Sequence, residues 1–208
     1  MEFYEAVNRR RTVREFEDRE IPPEIIKKII TAGLKAPSND HLRDWHFVIV
    51  TEKKKAAELL EPIPKGITEE ELRQLFEAWN LRDPLQRECY RRAVPKQYRM
   101  LYDAPVLLVP LLKQKTDLLH PENASHLNGF ASVWCCIENI FLAASAEGLG
   151  CSIRIPLGGE AEHAGRVLAV PKEYYIPCFI GIGIPKENAE AVKQKAIDPE
   201  ERIHWQKF

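Results

Sequence analysis

The sequence has no uninterrupted apolar run of 18 residues, and Met1-Glu2-Phe3-Tyr4-Glu5 has no basic stretch leading into an apolar one. Neither a membrane span nor a signal peptide is therefore expected, and a soluble cytoplasmic protein is the default. There is no basic excess: 30 Lys and Arg face 31 Asp and Glu, for a net charge of -1. That argues against a general nucleic-acid binder and leaves room only for a local patch. The six histidines, His41, His46, His120, His126, His163 and His204, show neither HxxxH nor HExxH spacing, so no metal site is implied. No G-x-S-x-G elbow, P-loop or G-x-G-x-x-G is present, which removes the signatures of common hydrolase, nucleotide-triphosphate and dinucleotide sites. Cysteine is sparse. Five residues, Cys89, Cys135, Cys136, Cys151 and Cys178, make an odd set without framework spacing, as expected for free thiols in a reducing compartment. Cys135-Cys136 is not a CxxC pair, and apolar neighbours make both read as small core residues.

What remains is a chain of 208 residues with 45% hydrophobic content, enough for a sizeable core and read as one domain over 1–208. Phe3, Ala6, Val7 and Arg10 have helical spacing, and Val13 and Phe16 follow in an extended segment. Ile21-Pro22-Pro23-Glu24 opens a second helix, which stops before Ala36-Pro37 because a residue preceding proline disfavours helix. His46 to Thr51 reads as a buried strand, and Lys53 to Leu60 as a helix. Residues 62–100 are highly charged with little β character and read as a helical excursion. It opens with a capping box from Thr68 to Glu71 and continues with a helix from Asp83 towards Met100. Pro105 to Leu112 is a second buried strand. Asn123 to Glu147 is the longest helix, apolar nearly all round between Ala131 and Ala144, hence a buried central helix ended by Gly148-Leu149-Gly150. A short strand over Cys151–Leu157, a Gly158-Gly159 turn, a helix over Glu160–Leu168 and a core strand over Ile176–Pro185 follow. The tail, Arg202 to Phe208, carries Trp205 and is expected to dock on its own domain or on a partner. Strands separated by helices around one central helix indicate a layered α+β or α/β domain.

Three constellations can carry chemistry. Arg9-Arg10-Arg11-Thr12-Val13-Arg14 concentrates arginine forks and a hydroxyl, which suits phosphate oxygens; a solvated basic helix end is the plain alternative. The loop Ala36-Pro37-Ser38-Asn39-Asp40-His41, with Trp45 beyond it, offers polar groups to the edge of a planar ligand, or simply links a helix to a strand. Pro156-Leu157-Gly158-Gly159 lets backbone N–H groups approach a ligand, or is an ordinary turn.

Taken together and in order, these stretches resemble the nitroreductase family of FMN-dependent oxidoreductases. Arg10-Arg11-Thr12-Val13-Arg14-Glu15-Phe16 resembles its R-R-S-x-R-x-F opening, and Ala36-Pro37-Ser38 with His41, Trp45 and Phe47 its A-P-S-x-x-N-x-Q-P-W-x-F. Glu138 to Ala144 with Gly148-Leu149-Gly150, the Pro156–Gly159 turn, Gly181–Pro185 and the His204–Phe208 ending also look like family features. The resemblance implies a three-layer α+β sandwich, with a mostly antiparallel sheet between helices, assembled as an intertwined homodimer with FMN at the subunit interface. By the same resemblance Arg10, Arg11, Thr12 and Arg14 bind the FMN phosphate, ribityl chain and pyrimidine edge. Lys195 and Lys193 would add basic phosphate ligands, and Pro37, Ser38, Asn39 and His41 would come from the other subunit. Leu157, Gly158 and Gly159 would offer N–H groups to the flavin near its reactive nitrogen, where negative charge develops on reduction.

The implied chemistry is ping-pong: NADH or NADPH reduces the flavin, and a nitroaromatic, quinone or similar flat acceptor then takes its place. The cofactor carries the reaction, so no catalytic side chain is named. Reductive dehalogenation or reduction of an activated double bond stays open, with a lid inside 62–100 as its expected mark. So does a non-enzymatic flavin-binding or sensor role. The chain departs from the family pattern at His41, Arg43 and Asp44, which stand for Asn, Gln and Pro, and Arg43 and Asp44 are expected to pair.

Overall fold

The computed structural model describes residues 1–113, 116–190 and 194–208. Helix α1 (Phe3–Arg9) ends where Arg10 leaves helical backbone at φ -56°, ψ 123°. Residues 11–16 then run along the sheet, with Thr12 bridged to Cys151 in parallel and Phe16 to Pro185 in antiparallel fashion. Helix α2 (Pro23–Gly33) opens with proline, whose missing N–H has no intrahelical partner to lose there. Strand β1 (Trp45–Val50) and helix α3 (Lys53–Leu59) follow the loop at Pro37. Helix α4 (Glu69–Ala78) carries the expected capping box: Thr68 N donates to Glu71 Oε2 at 2.8 Å, and Glu71 N to Thr68 Oγ1 at 3.2 Å. Asp83 caps α5 (Pro84–Ala93) by accepting from Gln86 N at 2.9 Å. This helix does not continue towards Met100. It stops at Ala93, a 3-10 turn over Val94–Lys96 contains Pro95, and helix α6 (Arg99–Tyr102) restarts beyond it. Proline removes a helical donor and crowds the preceding turn.

Strand β2 (Val106–Lys113), helix α7 (Asn128–Ala146), strand β3 (Gly150–Arg154), helix α8 (Glu160–Val167), and strands β4 (Tyr174–Tyr175) and β5 (Phe179–Gly183) complete the order. The sheet runs β1-β2-β5-β3, with β4 added to β2, and every strand pair is antiparallel. The unbroken apolar sequence of β2 has a simple cause, because both of its faces are covered. Val106, Leu108 and Leu112 pack with Ile29 of α2 and with Ile137 and Ile140 of α7. Leu107, Val109 and Leu111 pack with Leu59 of α3, Leu101 of α6 and Ala164 of α8. The period of two sends alternate side chains to opposite helical layers, which gives the three-layer sandwich.

Helix α7 departs from the all-round burial expected of it. Val133, Cys136, Ile137, Ile140 and Ala144 are buried, whereas Ala131 and Cys135 are exposed and Trp134, Phe141 and Leu142 are half-buried. Cys135 is therefore not a core residue of the single chain, although Cys136 is. With the turn before it, the helix spans 23 residues and is apolar enough by length and composition to cross a membrane, a feature the test for uninterrupted runs passes over. Its inner face packs on α2 and the sheet, and its mid-helix Glu138 pairs with Arg10.

Candidate functional site

The arginine segment is fixed to the edge of the sheet. Val13 N donates to Cys151 O at 2.9 Å, next to the Thr12–Cys151 bridge. The approach is close enough to require glycine on the strand: a Cβ on Gly150 would lie 2.6 Å from Val13 Cγ2 and 2.7 Å from Val13 Cβ. Arg10, Arg11 and Thr12 line a cavity of about 120 Å³ together with Phe141, Ser145 and Cys151. Arg10 Nε lies 3.1 Å from Glu138 Oε1, and Arg11 folds its guanidinium onto the carbonyls of Asn8 and Arg10 at 2.8 and 2.6 Å. Arg14 is different: its Nε is buried with no hydrogen-bond partner among the described residues. Burial lowers its pKa, opposed by Glu190, Cys89 and Glu15 nearby. A buried donor without an acceptor is uncommon and costs desolvation free energy, so a bound acceptor would relieve it.

The Pro37 loop lies elsewhere on the chain. Asn39 N donates to Ser132 Oγ at 3.2 Å, and Asn128 Nδ2 to Asn39 Oδ1 at 3.2 Å, which ties the loop to the first turns of α7. Ser38, Asn39, Asp44 and Ser132 line a second cavity of about 220 Å³. Among the described residues, Ser38 Oγ is the other buried side-chain polar atom without a partner. His41 and Arg43 hold positive φ angles of 61° and 50°, strained values for residues with a Cβ. Pro37 and His41 are exposed. The expected Arg43–Asp44 pair does not form. Arg43 Nε donates to Ala36 O at 3.1 Å, while Asp44 faces His46 Nε2 at 3.3 Å and Lys113 Nζ at 3.9 Å. The fold separates the guanidinium from the carboxylate because Arg43 turns back over the loop, whereas Asp44 begins the approach to β1. The arginine segment meets α7 from Glu138 to Ser145, and the loop meets it at Asn128 and Ser132. At 1.5 Å rise per residue the nearest of these points, Ser132 and Glu138, are about 9 Å apart along the helix. One chain thus holds the two groups in separate cavities.

The glycine turn follows β3. Gly158 has φ +53°, which explains a glycine there. Leu157 N donates to Glu160 Oε2 at 3.1 Å, so this amide is already engaged, and of the three expected donors Gly158 and Gly159 remain. Lys195 pairs with a carboxylate of the helical excursion: its Nζ lies 3.4 Å from Asp83 Oδ2 at the start of α5. Lys193 lies outside the described residues.

Sequence reasoning missed several charged partners. Glu138 faces Arg10. Lys96 lies 2.9 Å from both Glu15 and Glu190, and Arg92 also pairs with Glu190, so the end of the helical excursion is tied to the arginine segment. Arg154 and Glu160 form a buried pair under the glycine turn. Only the last left a signal, an arginine between Ile153 and Ile155 in a mostly apolar stretch.

The nitroreductase family model matches residues 7–184, which include the arginine segment, the Pro37 loop and the glycine turn. The chain belongs to the nitroreductase family. Among the relatives of this family member, a Methanothermobacter thermautotrophicus protein provisionally named NADH dehydrogenase/NAD(P)H nitroreductase is 30% identical over 213 residues. That match covers 100% of this chain and 88% of the other. Iodotyrosine deiodinase of Haliscomenobacter hydrossis is 26% identical over 191 residues, covering 90% and 81%. A crystal structure of oxidized iodotyrosine deiodinase bound to FMN and 3-iodo-L-tyrosine superposes with a TM-score of 0.74 over 100% of both chains, at 19% identity, which establishes a shared fold.

Proposed function

We propose that this nitroreductase-family chain binds FMN and acts as an NAD(P)H oxidoreductase on a flat acceptor such as a nitroaromatic or quinone. The observation that carries the reading is the clamped arginine segment with a buried, unpartnered Arg14 Nε, matched by an unpartnered Ser38 Oγ in the loop. Those atoms fit a ligand rich in acceptors and hydroxyls, as a flavin phosphate and ribityl chain are. Arg10, Arg11, Thr12 and Arg14 would hold the phosphate and pyrimidine side; Ser38, Asn39 and His41 would hold the ribityl or ring edge; Gly158 and Gly159 would donate to the ring. Lys195 would join them only by leaving Asp83. Bound FMN would supply hydride chemistry between NADH or NADPH and the acceptor.

The homodimer belongs to the same proposal, built on a single FMN-binding domain over 1–208. A second copy would bring the Pro37 loop of one chain to the arginine segment of the other. It would also cover Trp134, Cys135 and Phe141 on α7, and the exposed Trp205 and Phe208 of the tail. All five thiols are free, which fits the cytoplasm. The test is an absorption spectrum of the purified protein followed by anaerobic titration with NADH and with NADPH, with molecular mass from sedimentation. Flavin bands bleached by either nicotinamide are expected. A flavin-free protein, or a yellow one that neither nicotinamide reduces, overturns the oxidoreductase reading.

A second reading, reductive dehalogenation of an aromatic amino acid, is favoured by the deiodinase relatives together with the helical excursion of α4 and α5. Iodide release from 3-iodo-L-tyrosine with dithionite-reduced protein distinguishes it from simple quinone reduction.

A further inference from the structure

The glycine turn is held by groups that the proposed function does not use. Glu160, 5% exposed, and Arg154, 8% exposed, meet as a fork: Arg154 Nε donates to Glu160 Oε2 at 2.9 Å, and Arg154 Nη2 to Glu160 Oε1 at 2.5 Å. The third nitrogen, Nη1, donates to Gln97 Oε1 at 3.0 Å. The same Glu160 Oε2 accepts from Leu157 N, the first residue of the turn. Neither glycine amide of the turn donates to another described residue.

A buried ion pair is a poor choice if stability alone is at stake. Removing both charges from water costs several kcal/mol, and apolar residues of similar volume often do as well or better. The turn also gains little from burial, since Leu157 is 55% exposed. What the pair does supply is geometry. It connects the last residue of β3, the first residue of α8 and the amide of Leu157, with Gln97 buttressing it from the segment joining α5 to α6. Gly158, at positive φ and without side-chain contacts, cannot fix the turn by itself.

We propose that Arg154 and Glu160, buttressed by Gln97, are positioning residues that lock the Leu157–Gly158–Gly159 turn and withdraw the Leu157 amide from it, so that the two glycine amides are its donors to the ligand. The assignment rests on the flavin reading for the identity of that ligand. Gln97 also links this lock to the excursion, because its neighbour Lys96 holds Glu15 and Glu190 beside the arginine segment. The segment at 96–97 thus braces both the phosphate grip and the ring-facing turn.

The test uses Glu160→Gln, Arg154→Lys and the double variant Arg154→Met/Glu160→Met, each with two readouts. The first is amide hydrogen exchange at Leu157 and the glycines in the FMN-free protein. The second is the rate of flavin reduction by NADPH or NADH in the FMN-loaded protein, with the FMN Kd measured alongside. Glu160→Gln should speed Leu157 exchange at least tenfold and slow flavin reduction at least tenfold, while the FMN Kd stays within threefold. The double variant should melt close to the wild type yet show the same slow reduction, which a merely structural pair would not do. Arg154→Lys keeps the charge without the fork and should lie between. Unchanged exchange at Leu157, or a wild-type reduction rate in Glu160→Gln, overturns the proposal, and Glu160→Gln decides it if the double variant does not fold. A wild-type protein without reducible flavin would instead overturn the oxidoreductase reading, and Leu157 exchange would still judge the lock.

Discussion

Replacing Arg10 by alanine is the sharpest test of the phosphate grip, because this guanidinium has a competing partner. Its Nε lies 3.1 Å from Glu138 Oε1, with the two side chains 34% and 48% exposed. At that exposure the pair contributes at most about 1 kcal/mol. A charge-assisted hydrogen bond to a phosphate oxygen contributes about 1.5–3 kcal/mol. Breaking the Glu138 contact offsets part of this, so the net loss in Arg10→Ala should be about 1–2 kcal/mol, a weakening of FMN binding by about 5–30-fold. Glu138→Gln removes the competitor together with a carboxylate that repels the phosphate. It should tighten FMN binding by up to about fivefold, and do much less when Arg10 is already absent. The assay is quenching of FMN fluorescence by the FMN-free protein at low and moderate salt, with both effects larger at low salt. If Arg10→Ala leaves the Kd within twofold, or if Glu138→Gln acts equally in both backgrounds, Arg10 does not grip the phosphate.

Further expectations concern the frame around the site. Gly150→Ala puts a methyl group 2.6–2.7 Å from Val13 Cγ2 and Cβ, a clash near the backbone that should cost about 1–3 kcal/mol and also weaken FMN binding by shifting the arginine segment. An unchanged melting temperature in this variant would refute that packing. Glu190 is held below the usual carboxylate range by hydrogen bonds from Lys96 and Arg92, and Glu15 by the Glu190 backbone N–H and Lys96. Both folded values lie below the ordinary one, so the stabilisation is complete above about pH 4.5 and lost as pH falls through the folded values. Lys96→Met should therefore show a shallower loss of melting temperature between about pH 5 and 3 than the wild type; parallel curves would remove the network from the acid response. Burial pushes the Cys136 and Cys151 thiols up to about 12 and raises Cys178 further, whereas Cys135 is exposed and Cys89 half-buried. A thiol reagent near neutral pH should titrate at most Cys89 and Cys135 in the native protein and all five cysteines after denaturation. A native count above two contradicts the burial.

Local chemistry explains which parts of the fold could be read in advance. Thr68 and Glu71 cap α4 because their reciprocal hydrogen bonds need only neighbours three residues apart. The β2 run reads as a doubly covered strand because alternate apolar residues leave no face for water. The break in α5 shows the limit, since helical periodicity continues through residues where Pro95 ends the hydrogen-bond ladder. Arg43 and Asp44 are adjacent in sequence, yet backbone geometry sends one to Ala36 O and the other towards His46.

The order of the motifs, the helix starts, the core strands and the family are properties of the chain itself, because short-range periodicity, capping and turn chemistry set them. The pairing of charges is not. Arg10 with Glu138 and Lys96 with Glu15 and Glu190 join residues far apart in sequence, as does the hydrogen bond from Arg154 to the neutral Gln97. Which carboxylate reaches which cation depends on how the layers stack. The same holds for the division of the candidate site between two cavities: the arginine segment meets α7 from Glu138 to Ser145 and the Pro37 loop meets it at Asn128 and Ser132, and only the packed fold sets which part of the helix each one meets.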